Sequence, residues 1–376
     1  MQRIADTSTI PRMTQDNDIQ ARLAPLREKI DGLDKQIIEL LNERAKVVVQ
    51  VGEVKRDLDS PIYAPEREQK VLEQVRNYNK GPLPQKCLEA IWREMMSGSF
   101  ALERPLRIGY LGPPGSFSHL AAVRKFGRSV EYDDLGEIHA VCEEVARGHI
   151  DYGLVPIESS AHGGIGETLD AFLSNSVSVY AEVLIAVHQN LLSNSPVDKI
   201  TKVYSKPPAF TQCRQWLAVQ LGRADKIPVA STSLAAEMAS KEEGAAAVGS
   251  VLAGELYGLK VQFENIEDSA NNITRFFVVS RDNAKRSGDD KTAIMFTTEH
   301  VAGSLTEVLD VFRDNGLNLT HIDKRPSRNV NWEYYFFVDF LGHRDDENVA
   351  KALEEARKHC RQLTVLGSFP RAREVL

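Results

Sequence analysis

The feature that most restricts what this chain can fold into is an unbroken apolar spacing near its start. Leu23, Leu26, Ile30, Leu33, Ile37, Leu40, Arg44, Val47, Val51, Val54 and Leu58 follow one another at alternating intervals of three and four. That period places all of them on one stripe of an α-helix, and so long a stripe needs a partner surface to bury it. The helix is expected to end near Ser60-Pro61 and, at about 1.5 Å per residue, to exceed ~50 Å. A second helix is expected over 66–78, stopped by Lys80-Gly81-Pro82, and a third from after Pro84 to about Glu103. The first 104 or so residues thus read as an all-helical unit completed by another copy.

Arg44 breaks the stripe. A guanidinium where the heptad asks for Leu or Ile is costly unless something anionic answers it. Besides a chance misplacement in the heptad, two answers stay open on the pattern alone. Arg44 pairs with a carboxylate of the bundle and sets its register, or Arg44 and Lys55, on nearly the same face, hold a small dianion. Arg27 lies ~25 Å away along the same straight helix, too far to share that ligand, and would serve a second site across an antiparallel homodimer. Glu68 and Glu103, on the later helices, can add carboxylates.

At Leu106 the pattern changes to short apolar strands alternating with helices, which indicates an α/β domain with functional loops at strand ends. A polar linker over 281–291 leads into a β-α-β-β-α-β order, suited to a small ferredoxin-like domain. Composition narrows the class further. A net charge of −7 argues against a nucleic-acid or anionic-membrane partner without excluding small anions. The four widely spaced cysteines suggest reduced thiols and no structural zinc. No run approaches the ~18 apolar residues of a membrane span, and the opening residues lack a signal-peptide core, so a cytoplasmic chain is expected.

Four loops carry candidate chemistry. Gly112–Ser118 follows a strand and opens a helix, and reads either as a capped turn or as an anion nest. It is neither a phosphate-binding loop with Gly-Lys-Ser/Thr nor a dinucleotide fingerprint. The others are Pro156–Gly164, the segment from Ser205 to Gln212, and Asn272–Phe276. In the last, Thr274 beside Arg275 offers a hydroxyl next to a guanidinium, or simply a capping threonine. His119 and His162 form no recognisable metal set.

Taken together these residues resemble the bifunctional chorismate mutase/prephenate dehydratase family. The helical segment is similar to its chorismate mutase domain through LREKIDGLDKQIIELLNERAKVVVQVGEVK, the PERE run and IWREMMSGSFALE. The resemblance implies that Arg27 is supplied across the dimer and that Arg44 and Lys55 face the substrate carboxylate and ether oxygen. Glu68 would receive the substrate hydroxyl, and Ser99 and Glu103 match polar positions on the third helix. Ala64 stands where some relatives carry aspartate.

The α/β segment resembles prephenate dehydratase through Gly112–Ser118, Pro156–Ser159, Tyr204-Ser205…Gln212-Cys213 and Thr274-Arg275-Phe276. Thr274 is implied as the principal catalytic hydroxyl, Arg275 as the group orienting carboxylates, and Phe276 as its packing support. Glu158, Ser159, Ser160, Ser205, Gln212 and Ser118 complete the implied site. Ser159 departs from the family's Pro-Ile/Val-Glu-Asn loop, and the shorter serine loses the amide's paired donor and acceptor.

The last segment resembles an ACT regulatory domain. L-phenylalanine is implied at a dimer interface lined by Gly303, Ser304, Leu305, Asn318, Leu319 and Thr320, with the run Asp323-Lys324-Arg325-Pro326-Ser327 matching the region of the Glu-Ser-Arg-Pro motif.

The implied fold is multidomain: an all-α helical dimeric bundle over 18–104, a bilobed, periplasmic-binding-protein-like α/β domain over 105–281, and an α+β ferredoxin-like ACT domain over 290–370. The implied activity converts chorismate to prephenate and prephenate to phenylpyruvate, with feedback by L-phenylalanine. No cofactor or metal is implied, and the partners are the two substrates, phenylalanine, and a homodimer or larger homo-oligomer. Two alternatives remain: a dehydratase with a weak or regulatory helical domain, and a non-enzymatic amino-acid-responsive binding protein.

Overall fold

The computed structural model describes residues 12–58, 60–161, 163–326 and 334–376. The chain divides into two units, residues 1–60 and 61–376. The first holds one helix, α1 (Arg12–Asp57), of 46 residues with Pro25 inside it. Leu26, Ile30, Leu33, Ile37, Leu40, Val47, Val51 and Val54 are all exposed along it. The helix stops three residues before the expected Ser60 because the Leu58 and Ser60 N–H groups both turn back onto the Lys55 carbonyl, at 3.2 and 2.9 Å.

The second unit opens with α2 (Pro65–Tyr78) and α3 (Gln85–Glu103). Proline at the first position suits α2, since that N–H has no helical partner in any case. A first sheet follows, in chain order β1 (Arg107–Leu111), α4 (Phe117–Phe126), β2 (Glu131–Leu135), α5 (Ile138–Arg147), β3 (Tyr152–Ser159), β4 (Gly163–Gly164), α6 (Gly166–Ser174) and β5 (Ser178–Ala186). The sequence Glu-Tyr-Asp-Asp-Leu of β2 lacks apolar alternation because it lies at the sheet edge.

The chain then crosses to a second sheet. Its elements are β6 (Asn190–Leu192), β7 (Lys202–Ser205), α7 (Pro207–Gln212), α8 (Arg214–Gln220), β8 (Asp225–Pro228), α9 (Thr232–Ser240), β9 (Ala245–Gly249), α10 (Val251–Tyr257) and β10 (Val261–Phe263). It returns to the first sheet as β11 (Ile273–Ser280). The strand orders are β2-β1-β3-β11-β5, with β4 on β3, and β10-β6-β9-β7-β8. Two lobes joined by two crossing segments are therefore built, as the family resemblance implies.

The remaining sheet contains β12 (Asp290–Thr297), α11 (Ser304–Asp314), β13 (Leu319–Pro326), β14 (Tyr334–Leu341), α12 (Glu347–Arg357) and β15 (Gln362–Pro370). It is antiparallel throughout, in the order β13-β14-β12-β15. It is continuous in packing with the first lobe: Val155, Phe172 and Phe277 share one core with Met295, Phe337 and Phe369.

Helices α2 and α3 also pack on the first lobe. Ser97 on α3 meets the turn after α4, where Gly127 has φ +77 and a Cβ would lie 2.4 Å from the Ser97 Cβ. Only glycine fits both the left-handed backbone and that approach. The Ser97 and Glu94 side chains accept the Ser129 and Arg128 N–H groups there, at 3.0 and 3.1 Å.

Candidate active sites

Thr274, Arg275 and Phe276 lie on β11, beside Glu158 and Ser159 of β3. Strand β11 runs antiparallel between β3 and β5, with Thr274 opposite Ser159 on one side and Ile185 on the other. Ser160 clamps the start of the strand. Its N–H donates to the Ile273 carbonyl, its hydroxyl donates to the Asn271 carbonyl, and its oxygen accepts the Ile273 N–H, each at 2.9 Å. The Ser159 oxygen accepts the Ala161 N–H at 3.3 Å. Thr274, Ser159 and Ser160 are thus brought together, and Phe276 is buried behind them.

The crossing segments join this strand to the second lobe. The Val187 N–H donates to the Asn272 carbonyl, and the Ile266 N–H to the Gln189 carbonyl, both at 2.8 Å. Gln212 enters here, accepting from the Gln189 amide at 2.9 Å. Ser205 is fully buried at the end of β7 and donates to the Val248 carbonyl at 2.8 Å. Gln189 and Asn272 each keep a buried amide oxygen with no hydrogen-bond donor among the described residues. Sequence reasoning left Gln189 unmarked, because the change of sheet it sits at is set by long-range pairing and leaves no local signal.

The Gly112–Ser118 loop reaches the second lobe as well. Gly115 has φ +83, and a Cβ there would lie 2.9 Å from the Ser233 hydroxyl and 3.2 Å from Ala253. The Ser250 hydroxyl donates to the Gly115 carbonyl at 2.7 Å, and the Ser233 hydroxyl donates to that of Pro114. Ser116 caps α4 by accepting the His119 N–H at 3.2 Å, while His119 Nδ1 accepts the Gly115 N–H at 3.1 Å. Burial lowers the His119 pKa against a smaller opposing pull from Asp134, which keeps Nδ1 an acceptor. Ser118 is buried in the first turn of α4.

Arg275 is not open to solvent. Its Nε donates to Glu182 on β5 and its Nη2 to Asp339 on β14, both at 2.5 Å. Lys291 adds a second cation to Glu182 at 2.8 Å. Burial alone would lower the Arg275 pKa, but the Asp339 and Glu182 carboxylates outweigh it and raise it. Burial would likewise raise Glu182, and Arg275 and Lys291 bring it below its usual value. Glu158 lies at the edge of this cluster, 3.9 Å from Arg275 and 3.2 Å from His321 Nδ1 on β13.

The regulatory candidates fall into two groups. Gly303, with φ +93, caps α11, which Ser304 and Leu305 begin, and Leu305 packs on the same core as Leu319 at the start of β13. The Thr320 hydroxyl donates to the Asp339 carbonyl at 3.3 Å, and the Asn318 carbonyl accepts the Leu341 N–H at 3.0 Å. At the far end of β13, Arg325 grips both oxygens of Asp170 on α6, at 2.9 and 2.6 Å, with Pro326 next to it. Ser327 lies outside the described residues.

Of the mutase candidates, Arg27, Arg44 and Lys55 all lie on α1, where Arg27 Nη1 donates to Gln20 at 3.0 Å. Glu68 is on α2, and Ser99 and Glu103 are on α3. The Ser99 hydroxyl donates to the Met95 carbonyl at 2.8 Å. Glu68 Oε2 accepts from Tyr63 at 2.9 Å and from Lys125 at 2.6 Å.

Comparison with known proteins finds three families along the chain. Residues 26–104 match the chorismate mutase type II family, 108–284 the prephenate dehydratase family and 292–358 the ACT domain. The bifunctional chorismate mutase/prephenate dehydratase of Aquifex aeolicus is 41% identical over 355 residues, covering 93% of this chain and 98% of that protein. The one from Pseudomonas aeruginosa is 38% identical over 360 residues, covering 94% and 99%. Among solved structures, the Arthrobacter aurescens prephenate dehydratase in complex with L-Phe aligns with a TM-score of 0.66 and 32% identity, over 71% of this chain and 90% of that one. The chain belongs to the family of bifunctional chorismate mutase/prephenate dehydratases.

Proposed function

We propose that this chain performs the two steps with separate residue sets. In the mutase step, Arg44 and Lys55 neutralise a carboxylate and the breaking ether oxygen of chorismate, and Glu68 receives its hydroxyl. Ser99 and Glu103 are the polar third-helix positions that the family resemblance assigns to this step, and a second copy of the chain lends Arg27. The exposed apolar stripe of α1 supports a homodimer. An intramolecular rearrangement forms no covalent enzyme intermediate, so fixed cations that select the folded conformer suffice.

In the dehydratase step, the Thr274 hydroxyl protonates or hydrogen-bonds the departing ring hydroxyl of prephenate as CO₂ leaves and the ring becomes aromatic. Ser159, Ser160, Glu158, Ser118, Ser205 and Gln212 shape the polar surroundings. Arg275 acts from within its carboxylate cluster, setting the strand that carries Thr274 and the local positive charge. The observation that carries this reading is the register of Thr274 against Ser159, with Ser160 clamping the strand at the junction of the lobes. L-phenylalanine is the proposed effector, bound near Gly303–Leu305 and Asn318–Thr320. The Phe-bound relative supports this choice.

The direct test is turnover of prephenate by Thr274→Ala and Thr274→Ser. Alanine should lower kcat at least about a hundredfold and serine should restore much of it, as for a group acting in the transition state. Equal activity in the alanine variant and the wild type would remove Thr274 from the mechanism.

A further inference from the structure

Tyr63, just ahead of α2, is only 1% exposed. Its ring stands edge-on to Phe126, Tyr152 and Tyr180 at centroid distances of 5.2, 5.4 and 5.9 Å. Its carbonyl accepts from the Tyr180 hydroxyl at 2.9 Å. The approach to α2 is therefore rooted in the core of the first dehydratase lobe, which also contains Ile108 and Leu154.

From that anchor the Tyr63 hydroxyl donates to Glu68 Oε2 at 2.9 Å. Lys125, on α4 of the same lobe, donates to the same oxygen at 2.6 Å. The Lys125 and Glu68 side chains are 15% and 11% exposed, so the charge-assisted bond is largely shielded from water. Burial, reinforced by the Glu68 charge, pushes the Tyr63 phenol well above its usual range and keeps it a donor. Both bonds fall on Oε2, and among the described residues no donor is bonded to Oε1. A carboxylate held at one oxygen presents the other in a fixed direction as an acceptor.

We infer that Lys125 and Tyr63 are positioning residues for the mutase reaction: they hold Glu68 so that its second oxygen accepts a hydrogen bond from the hydroxyl of chorismate. The inference rests on the role proposed above for Glu68. Its consequence is that the first step depends on a lysine supplied by the domain that performs the second.

The test uses the full-length protein with Lys125→Met, Lys125→Arg, Tyr63→Phe and Glu68→Ala, each assayed separately with chorismate and with prephenate. Lys125→Met should lower mutase kcat/KM about tenfold, chiefly through KM, because substrate and transition state make the hydroxyl contact alike. Lys125→Arg should recover most of the loss, and Tyr63→Phe, which keeps the ring, should show a smaller loss of the same kind. Prephenate turnover should stay within about twofold of wild type, whereas damage to the fold would lower both activities. A normal mutase in Lys125→Met alongside an impaired Glu68→Ala would overturn the inference and leave the Glu68 role standing. A normal mutase in Glu68→Ala would overturn both.

Discussion

Arg275, the neighbour of Thr274 on β11, is bonded at 2.5 Å to Asp339 of the regulatory sheet. One guanidinium thus ties the strand of the proposed catalytic hydroxyl to the domain proposed to sense phenylalanine. Asp339 and Glu182 are both buried, so removing either leaves charge without its partner in a dry place. Asp339→Ala should cost about 3 kcal/mol, the lower end for a broken buried pair because Glu182 remains. Urea unfolding gives this value, and a cost below about 0.5 kcal/mol, the level of ordinary surface changes, would show that the cluster does not hold the sheets together.

Arg325 and Asp170 make the second tie, at the opposite end of β13 from Asn318–Thr320. Arg325→Ala should leave phenylalanine binding nearly intact while weakening its effect on the dehydratase. We expect calorimetric affinity to change less than about threefold and the half-inhibitory concentration to rise about tenfold, a coupling loss of ordinary size. Parallel changes in both quantities would place Arg325 in effector binding instead.

His119 is expected to make the dehydratase sensitive on the acid side. Its folded pKa lies below the usual 6.5, so the unfolded chain takes up the proton first as pH falls. The stability tied to His119 is complete above pH 6.5 and is lost as pH drops through the lower folded value. Protonation also removes the acceptor for the Gly115 N–H. His119→Asn, which can accept without titrating, should flatten the fall in prephenate kcat/KM between pH 7 and 5. Superimposable pH profiles for the two proteins would exclude His119 as the source.

Ala64 occupies the N-cap of α2 and makes no side-chain cap. Ala64→Asp should stabilise the protein by about 1 kcal/mol, since an aspartate accepts a free N–H of the first turn and suits the positive helix end. Chemical denaturation measures this, and a destabilised variant would mean that the carboxylate cannot reach the helix N–H groups.

Much of this organisation is written locally. The Leu23–Leu58 spacing specifies α1, Pro84 and Pro105 bracket α3, and the β-α-β-β-α-β order specifies the antiparallel regulatory sheet. Thr274, Ser159 and Ser160 were legible as strand-end polar groups, and the register explains why they meet. Long-range partners were not legible. Nothing near Tyr63 announces that its ring enters the dehydratase core, or that α2 and α3 pack with that lobe. The run VSVYAEVLIAVHQNLL is β-rich from end to end, yet the chain changes sheets at 187–189, where β5 and β6 answer to different neighbours. Arg275 looked like a cation for substrate because its carboxylate partners lie 93 and 64 residues away.

The central claim, that one chain carries two consecutive activities on separate residues, is tested most directly by a time course from chorismate with prephenate and phenylpyruvate quantified separately. The wild type should form prephenate and then phenylpyruvate. Arg44→Ala should stop before prephenate, and Thr274→Ala should let prephenate accumulate. Chorismate left unconsumed by the wild type, or phenylpyruvate formed at the wild-type rate by Thr274→Ala, would contradict the account.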